Sequence, residues 1–293
     1  MNYYKEIKNE IINNEVTKRI KDYSKNKSDL ESKYRIGKLL SEAGKHYGEG
    51  IIKEYSKRLI NDLGKKYSVT TLKYIRQFYV FSKSHSLSDQ LSYTHYKTLL
   101  PIKDDNKINY YIKISIEQHL SVNELKDRIK NNEYDRLTDK TKYKLINSEQ
   151  LKVEDLVPNP ILIKNNLLNE KVSEYALKQL ILNNMDDFLS QLGTGFTYAA
   201  NEYKIKVDNT YNYIDLLLFN YEYNCFIVVE LKVTDLKKEH IGQIQVYMNY
   251  IDENLRKPSQ NITIGIIICR EDNEYVIKYC SDDRIISREY KLV

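Results

Sequence analysis

The sequence predicts a helical front half containing a helix-turn-helix-like segment, followed by an α/β back half of element order α-β-β-β-α-β. Three observations lead there. Apolar residues recur every three or four positions as far as about residue 145, the periodicity of amphipathic helices. Pro158-Asn159-Pro160 then forbids a continuous helix. Beyond Gly195 the apolar runs become strand-like and include the near-continuous stretch Ile262–Ile268, which implies a sheet covered on both faces. The expected domains are 1–150 and 151–293.

Each element has its own signal. Tyr3 to Tyr23 places Ile7, Ile11, Ile12, Val16 and Ile20 at helical spacing, and Tyr34 to Lys45 does the same with Ile36, Leu39 and Leu40. Ile51 to Leu63 is another amphipathic stretch. Ser68 reads as the N-cap of a helix over Val69–Tyr79. Short helices are expected after Ser92, over Asp104–His119 and over Val122–Lys130. In the back half one long helix is expected from Lys171 to Leu192, stopped by Gly193 and Gly195. Strands are expected over Phe196–Val207, Tyr213–Phe219, Phe226–Val233 and Ile262–Cys269, with a helix from about Lys238 to Leu255 between the last two.

Composition bounds the function. The chain has 293 residues, 41% of them hydrophobic, enough for two cores. No apolar run approaches the roughly 18 residues of a membrane span, and Met1-Asn2-Tyr3-Tyr4-Lys5-Glu6 lacks the apolar stretch of a secretory signal. A cytoplasmic protein without a membrane partner is expected. Cys225, Cys269 and Cys280 offer neither a disulfide framework nor zinc-ligand spacing and read as buried thiols. The net charge of +5 conceals an asymmetry: residues 1–150 carry 30 basic against 20 acidic residues, and residues 151–293 carry 16 against 21. A basic front and a mildly acidic back suggest a polyanion-binding module joined to one that needs carboxylates; solvated surface lysines are the plainer reading. On the Val69–Tyr79 helix, Lys73, Arg76 and Gln77 are the candidates for DNA contact. Arg76 and Gln77 would otherwise be buried partners locking the helical domain.

The candidate chemistry lies in the back half. Glu230-Leu231-Lys232 ends the apolar run Phe226–Val229. The chain holds six Glu-x-Lys triplets, one of them Glu124-Leu125-Lys126, so context must decide. Glu124 lies in a polar helical stretch. Glu230 and Lys232, two apart on a strand, point to the same face, where two buried charges cost several kcal/mol unless they pair or bind a cation. Asp215 is the single carboxylate in Tyr213–Phe219, and a hairpin through the Asn220–Asn224 turn would bring it beside Glu230. Two carboxylates with a lysine suit Mg²⁺, with Mn²⁺ as an alternative ion; a salt bridge of Lys232 with Asp215 or Glu230 is the structural alternative. Gln243 and Tyr247, an i, i+4 pair on the next helix, share one face and would position a nucleophile or a phosphate.

These residues resemble the PD-(D/E)XK nuclease superfamily, an α-β-β-β-α-β sandwich of the restriction-endonuclease-like type. It carries Asp on one strand, Glu-x-Lys on the next and, in several branches, Gln-x-x-x-Tyr on the following helix. The closer resemblance is to YhcG-type bacterial proteins, which join a helical domain, thought to bind DNA, to such a nuclease domain. Tyr74–Tyr79, Ser121–Lys126, Leu192–Phe196, Tyr213–Leu217 and Val229–Lys232 carry it. The resemblance implies a metal held by Asp215, Glu230 and the Leu231 carbonyl, and a catalytic Lys232 supported by Gln243 and Tyr247. Two departures stand out. The first helix of the family often supplies a further glutamate, but between Tyr175 and Leu192 the only acids are Asp186 and Asp187, so that ligand is unassigned. Asn201-Glu202 replaces the basic-polar pair that tends to follow the first strand's apolar run.

The expected protein is therefore a Mg²⁺-dependent DNA endonuclease, compatible with a homodimer, whose helical front holds the duplex. The alternatives are a DNA-binding or assembly module with a silent nuclease fold, and a nuclease acting on RNA.

Overall fold

The computed structural model describes residues 2–19, 25–165, 172–280 and 283–293. The chain forms two units, Met1–Tyr134 and Asp135–Val293.

In the first unit, α1 (Tyr3–Arg19), α2 (Lys25–Tyr47) and α3 (Ile51–Leu63) lead through a 3₁₀ turn at Lys65–Tyr67 into α4 (Val69–Phe81); α5 (Tyr93–Leu99), α6 (Asp105–Glu117) and α7 (Val122–Lys130) come next. Ile7, Ile11, Ile36, Leu40, Ile52, Leu59, Leu72 and Ile75 interlock as its core. The expected cap is present: Ser68 Oγ accepts the Thr71 amide and so satisfies an orphan donor of α4. The Glu124 triplet finds its explanation in a capping box, where Glu124 takes the Ser121 amide at 2.7 Å and Ser121 takes that of Glu124. Helices α2 and α4 approach closely at Gly37, where a Cβ would stand 2.5 Å from the Ile75 carbonyl oxygen. The expected residues Ile20 to Tyr23 lie outside the described residues.

The second unit begins within α8 (Glu133–Arg136) and continues with α9 (Asp139–Ile146), α10 (Val153–Leu156), β1 (Ile161–Ile163), α11 (Glu174–Asn183), α12 (Met185–Leu192), β2 (Phe196–Val207), β3 (Thr210–Asn220), β4 (Cys225–Leu231), α13 (Lys238–Asn254), β5 (Asn261–Cys269), α14 (Glu274–Cys280) and β6 (Ile285–Leu292). The division falls ahead of the expected position near residue 150 because α9 is tied to α10, and the end of α8 to the residue that precedes β1. Lys144 meets the buried Asp155 at 2.5 Å, and Arg136 donates to the Pro160 carbonyl at 2.6 Å.

Six strands form one sheet in the order β1-β6-β5-β4-β3-β2. The pairs β2/β3 and β3/β4 are antiparallel, and β4, β5, β6 and β1 run parallel. Leu177, Ile181, Phe188 and Leu192 of α11 and α12 cover one face, against Leu216, Leu218, Val229 and Ile268. Ile241, Ile244, Met248 and Ile251 of α13 cover the other, against Leu217, Val228 and Ile267. The α-β-β-β-α-β core is thus present with helices on both faces. Cys225 and Cys269 are buried free thiols, as expected; the Cys280 side chain lies outside the described residues.

Two expectations are corrected. The single helix from Lys171 to Leu192 is two helices, broken at Asn184 (φ −129°, ψ 41°), whose side-chain amide donates to the Leu180 carbonyl and so competes with the helical ladder; Lys171 itself lies outside the described residues. The sheet also gains β1 and β6, which periodicity did not reveal. The first is only three residues long, and the second carries Ser287, Arg288 and Glu289 in its middle. Arg288 is accommodated by donating to the Glu154, Val157 and Ser287 carbonyls.

Among the described residues no helix is long and apolar enough to cross a membrane.

Candidate active site

The site forms where β3 and β4 part. Their ladder runs from Asn220/Cys225 to Leu216/Val229, and one step further stand Asp215 and Glu230. Instead of a backbone partner, the Leu231 amide donates to Asp215 Oδ2 at 3.0 Å. The hairpin turn that sets this register is held by Asn220, whose Oδ1 accepts the amides of Glu222 and Tyr223.

Glu230 is 2% exposed. Its Oε1 accepts from Lys232 Nζ and from Gln243 Nε2, both at 2.8 Å, and Gln243 Nε2 also lies 2.9 Å from the Tyr247 hydroxyl. The i, i+4 pair on α13 and the Glu-x-Lys pair at the end of β4 are therefore one hydrogen-bonded cluster, and the salt bridge of the structural alternative is present between Lys232 and Glu230. Glu230 Oε2, although buried, has no hydrogen-bond partner.

The electrostatics are set by burial. Desolvation, reinforced by the negative charge of Asp215, pushes the Glu230 carboxyl up to about 7, against the pull of Lys232. Burial works against the Lys232 ammonium, but the Glu230 carboxylate outweighs it and holds the ammonium above the ordinary lysine value. His240, in the first turn of α13, is driven down by burial and then by the charge of Lys232.

Three residues that the motifs did not assign also act here. Glu174 opens α11, one residue ahead of the stretch in which an auxiliary acid was sought, and its charge bears on Glu230, Lys232 and His240. The signal was available: Ser173 caps α11 by accepting the Ala176 amide, which places Glu174 in the first turn. One turn on, Lys178 donates to Glu202 at 2.7 Å and stands 3.5 Å from Asp215 Oδ1. Asp187, by contrast, pairs with Lys164.

Glu202 has a left-handed backbone, φ 48°, rare for a side chain of its kind. It stands opposite Asp215, between the pairs Asn201/Leu216 and Tyr203/Ile214. Leu216 belongs to the core under α11, yet Ile214, two residues away, belongs to the core under α13. The side-chain alternation of the hairpin is reset at Glu202 and Asp215, and this turns Asp215 toward α11 and Lys178.

Among the described residues no group of three or more His, Cys, Asp or Glu side chains is gathered as for a metal ion. The donor chemistry nevertheless fits a hard cation. A buried carboxylate with one oxygen unsatisfied and a second carboxylate beside it is the arrangement that a divalent ion relieves.

In the first unit Lys73 and Gln77 are exposed on α4, and Arg76 is half-buried rather than locked in the core. Its guanidinium is held by Glu49, both of whose oxygens lie 2.8 Å from Nη1.

YhcG of Escherichia coli (strain K12), a nuclease by name, is 23% identical over 293 residues, covering 86% of this chain and 78% of that protein. Two solved structures are loosely similar: a repair endonuclease from Pyrococcus abyssi at 19% identity and an EndoMS-dsDNA2 complex at 16%, each with a TM-score of 0.30. They cover 43% and 44% of this chain, which spans about half the length of each. A superposition that low carries no argument of its own. Residues 6–136 match the DUF1016 N-terminal domain and residues 155–292 the YhcG PDDEXK nuclease domain. With both halves matched in order, and with Asp215, Glu230 and Lys232 joined at one fork of the sheet, the chain belongs to the YhcG-type PDDEXK nuclease family.

Proposed function

We propose that the protein is a divalent-metal-dependent endonuclease that hydrolyses DNA phosphodiester bonds, with its helical front holding the DNA. The observation that carries this reading is the unsatisfied Oε2 of buried Glu230, which stands across the strands from Asp215 one step beyond the last ladder pair. Asp215, Glu230 and the Leu231 carbonyl would hold Mg²⁺ or Mn²⁺, and Glu174 is the candidate for the auxiliary acid. When bound, such an ion lowers the pKa of water and neutralises charge developing on the phosphate.

The chain's own groups do the rest. Gln243 and Lys232 fix the Glu230 carboxylate through one oxygen and leave the other directed to its task. Lys232, held protonated, stabilises the negative charge that grows on phosphorus oxygens as the attacking water bonds and the 3′ oxygen leaves. Tyr247, 4% exposed, keeps Gln243 in place. On the front unit, Lys73, Arg76 and Gln77 are the candidate DNA contacts, the cations to phosphates or guanine and Gln77 to adenine edges.

The test is plasmid nicking in Mg²⁺ or Mn²⁺ by the full chain. Cutting is expected from the wild type, abolished by chelation and by Lys232→Ala with unchanged circular dichroism. Equal cutting by that variant would remove Lys232 from the chemistry. Salt-sensitive DNA binding without any metal-dependent cutting would leave a silent binding module, and a preference for RNA in a parallel panel would change the substrate.

A further inference from the structure

We infer that the exposed face of the β2–β3 hairpin is a stacking platform for unpaired nucleotides of the substrate, so that the enzyme prefers nucleic acid with a single-stranded segment at the site. The inference rests on the nuclease reading of the adjacent site and adds the substrate class to it.

The hairpin has two unlike faces. Beyond the reset at Glu202 and Asp215, Ile205 and Ile214 are buried at 1% and 0% in the core under α13, with Tyr203 and Val207 beside them. The opposite face carries Lys204 paired across the strands with Tyr213, and Lys206 with Tyr211. Tyr211 and Tyr213 are 54% and 53% exposed. Neither joins the core under α11 or the core under α13. The row is continuous with the candidate site: Tyr211, Tyr213 and Asp215 alternate along β3, and Lys206, Lys204 and Glu202 alternate along β2.

Chemistry identifies the occupant. The Lys204 ammonium stands 3.9 Å from the centre of the Tyr211 ring and that of Lys206 6.0 Å away, and among the described residues neither pairs with a carboxylate. Exposed tyrosines interleaved with ammonium groups that no carboxylate among the described residues neutralises match the two repeating features of a polynucleotide, base faces and phosphates, a base taking the place of the Lys204 ammonium on the Tyr211 ring. Side chains two apart on an antiparallel strand are separated by about 6.8 Å. That is about twice the 3.4 Å rise per nucleotide of a duplex strand, a span a strand reaches once its bases have unstacked. In a duplex the base faces are covered by their neighbours, so only unpaired nucleotides offer rings to Tyr211 and Tyr213.

The experiment measures fluorescence anisotropy of a labelled short oligodeoxythymidylate, an oligouridylate and a blunt duplex, with full-length protein in EDTA so that cutting does not intrude. Tyr211→Ala and Tyr213→Ala are each expected to weaken oligodeoxythymidylate binding about tenfold and leave duplex binding unchanged, while the corresponding Phe variants retain it. The same tyrosine dependence with oligouridylate supports the platform equally, since the stacking chemistry is shared. In parallel, an oligonucleotide bearing 5-iodouracil is expected to crosslink to the peptide spanning Lys204–Tyr213. Wild-type affinity in both alanine variants, equal losses for strand and duplex, or crosslinks only elsewhere in the chain would overturn the proposal. Failure of the nuclease reading looks different: no metal-dependent cutting by the wild type, with tyrosine-dependent strand binding intact.

Discussion

Glu202 stands opposite Asp215 across β2 and β3, and a single ammonium, Lys178, lies 2.7 Å from the first carboxylate and 3.5 Å from the second. The left-handed backbone at Glu202 is the local cost of turning Asp215 out of the regular alternation and toward α11, where Lys178 and Glu174 lie one helical turn apart. Lys178 is nearly buried, so it acts as a structural counterion between two acids.

Lys178→Met is therefore expected to destabilise the protein by about 1–2 kcal/mol, read from urea unfolding at neutral pH. The folded-state pKa of Lys178 lies above the ordinary lysine value, because the pull of Glu202 and Asp215 exceeds the opposing effect of burial. The stabilisation is thus complete below that value and is lost as pH rises through the folded pKa. An unchanged midpoint for Lys178→Met at pH 7 would show that the contact contributes nothing.

Glu230 gives a pH dependence of its own in metal-free protein. Its carboxyl is pushed up to about 7 by burial and by Asp215, so the folded state holds a proton that the unfolded chain releases nearer the ordinary glutamate range. The contribution to stability is complete below that range and is lost as pH rises through about 7. In EDTA, Glu230→Gln should match the wild type near pH 4 and exceed it at pH 8, by an amount on the order of 1–3 kcal/mol. Thermal melts across this window check it; a variant less stable than wild type at pH 8 would contradict the burial penalty.

Glu174→Gln should lower cutting about 10–100-fold, whereas Asp187→Asn should leave it near wild type, since Asp187 is paired with Lys164. The comparison needs only initial rates of nicking at saturating metal. Equal effects of the two variants would remove Glu174 from the site.

In the front unit Glu49 competes with any phosphate for Arg76. Glu49→Gln should tighten duplex binding, by up to about tenfold at low salt, and Arg76→Ala should weaken it and make the salt slope shallower by about one. Filter binding across a salt series decides this. Identical slopes for wild type and Arg76→Ala would place DNA elsewhere on the molecule.

Gly265→Ala tests how the sheet holds α13. A Cβ at Gly265 would lie 2.6 Å from Met248 Sδ and 2.9 Å from Ile244 Cδ1, side chains on the helix that carries Gln243 and Tyr247. Overpacking of this kind costs about 1–3 kcal/mol, and nicking should fall along with the melting temperature as the Gln243–Glu230 bond lengthens. Full activity and stability would mean that α13 shifts without disturbing the site.

Much of this was written in local patterns. Ile51–Leu63 and Val122–Lys130 are helices with the expected bounds, because helical periodicity and capping by Ser121 act within a few residues. Phe196–Val207 is likewise a strand as expected. Glu230, Lys232, Gln243 and Tyr247 could be grouped because strand and helix repeats state which side chains share a face. The break at Asn184 and the strand Ile285–Leu292 were hidden, since one depends on an amide competing for a carbonyl and the other on carbonyls from Glu154 and Val157 receiving Arg288.

The sequence by itself determined the succession of elements and the set of ionisable side chains, since both arise from repeats shorter than one turn or one strand. Only the tertiary structure decided that Glu174, Lys178 and Glu202 join Asp215 and Glu230, and that Tyr211 and Tyr213 open beside them. Those meetings depend on which face of the hairpin turns toward α11, a choice made by a backbone reversal at Glu202 and by the packing of two cores on opposite sides of one sheet.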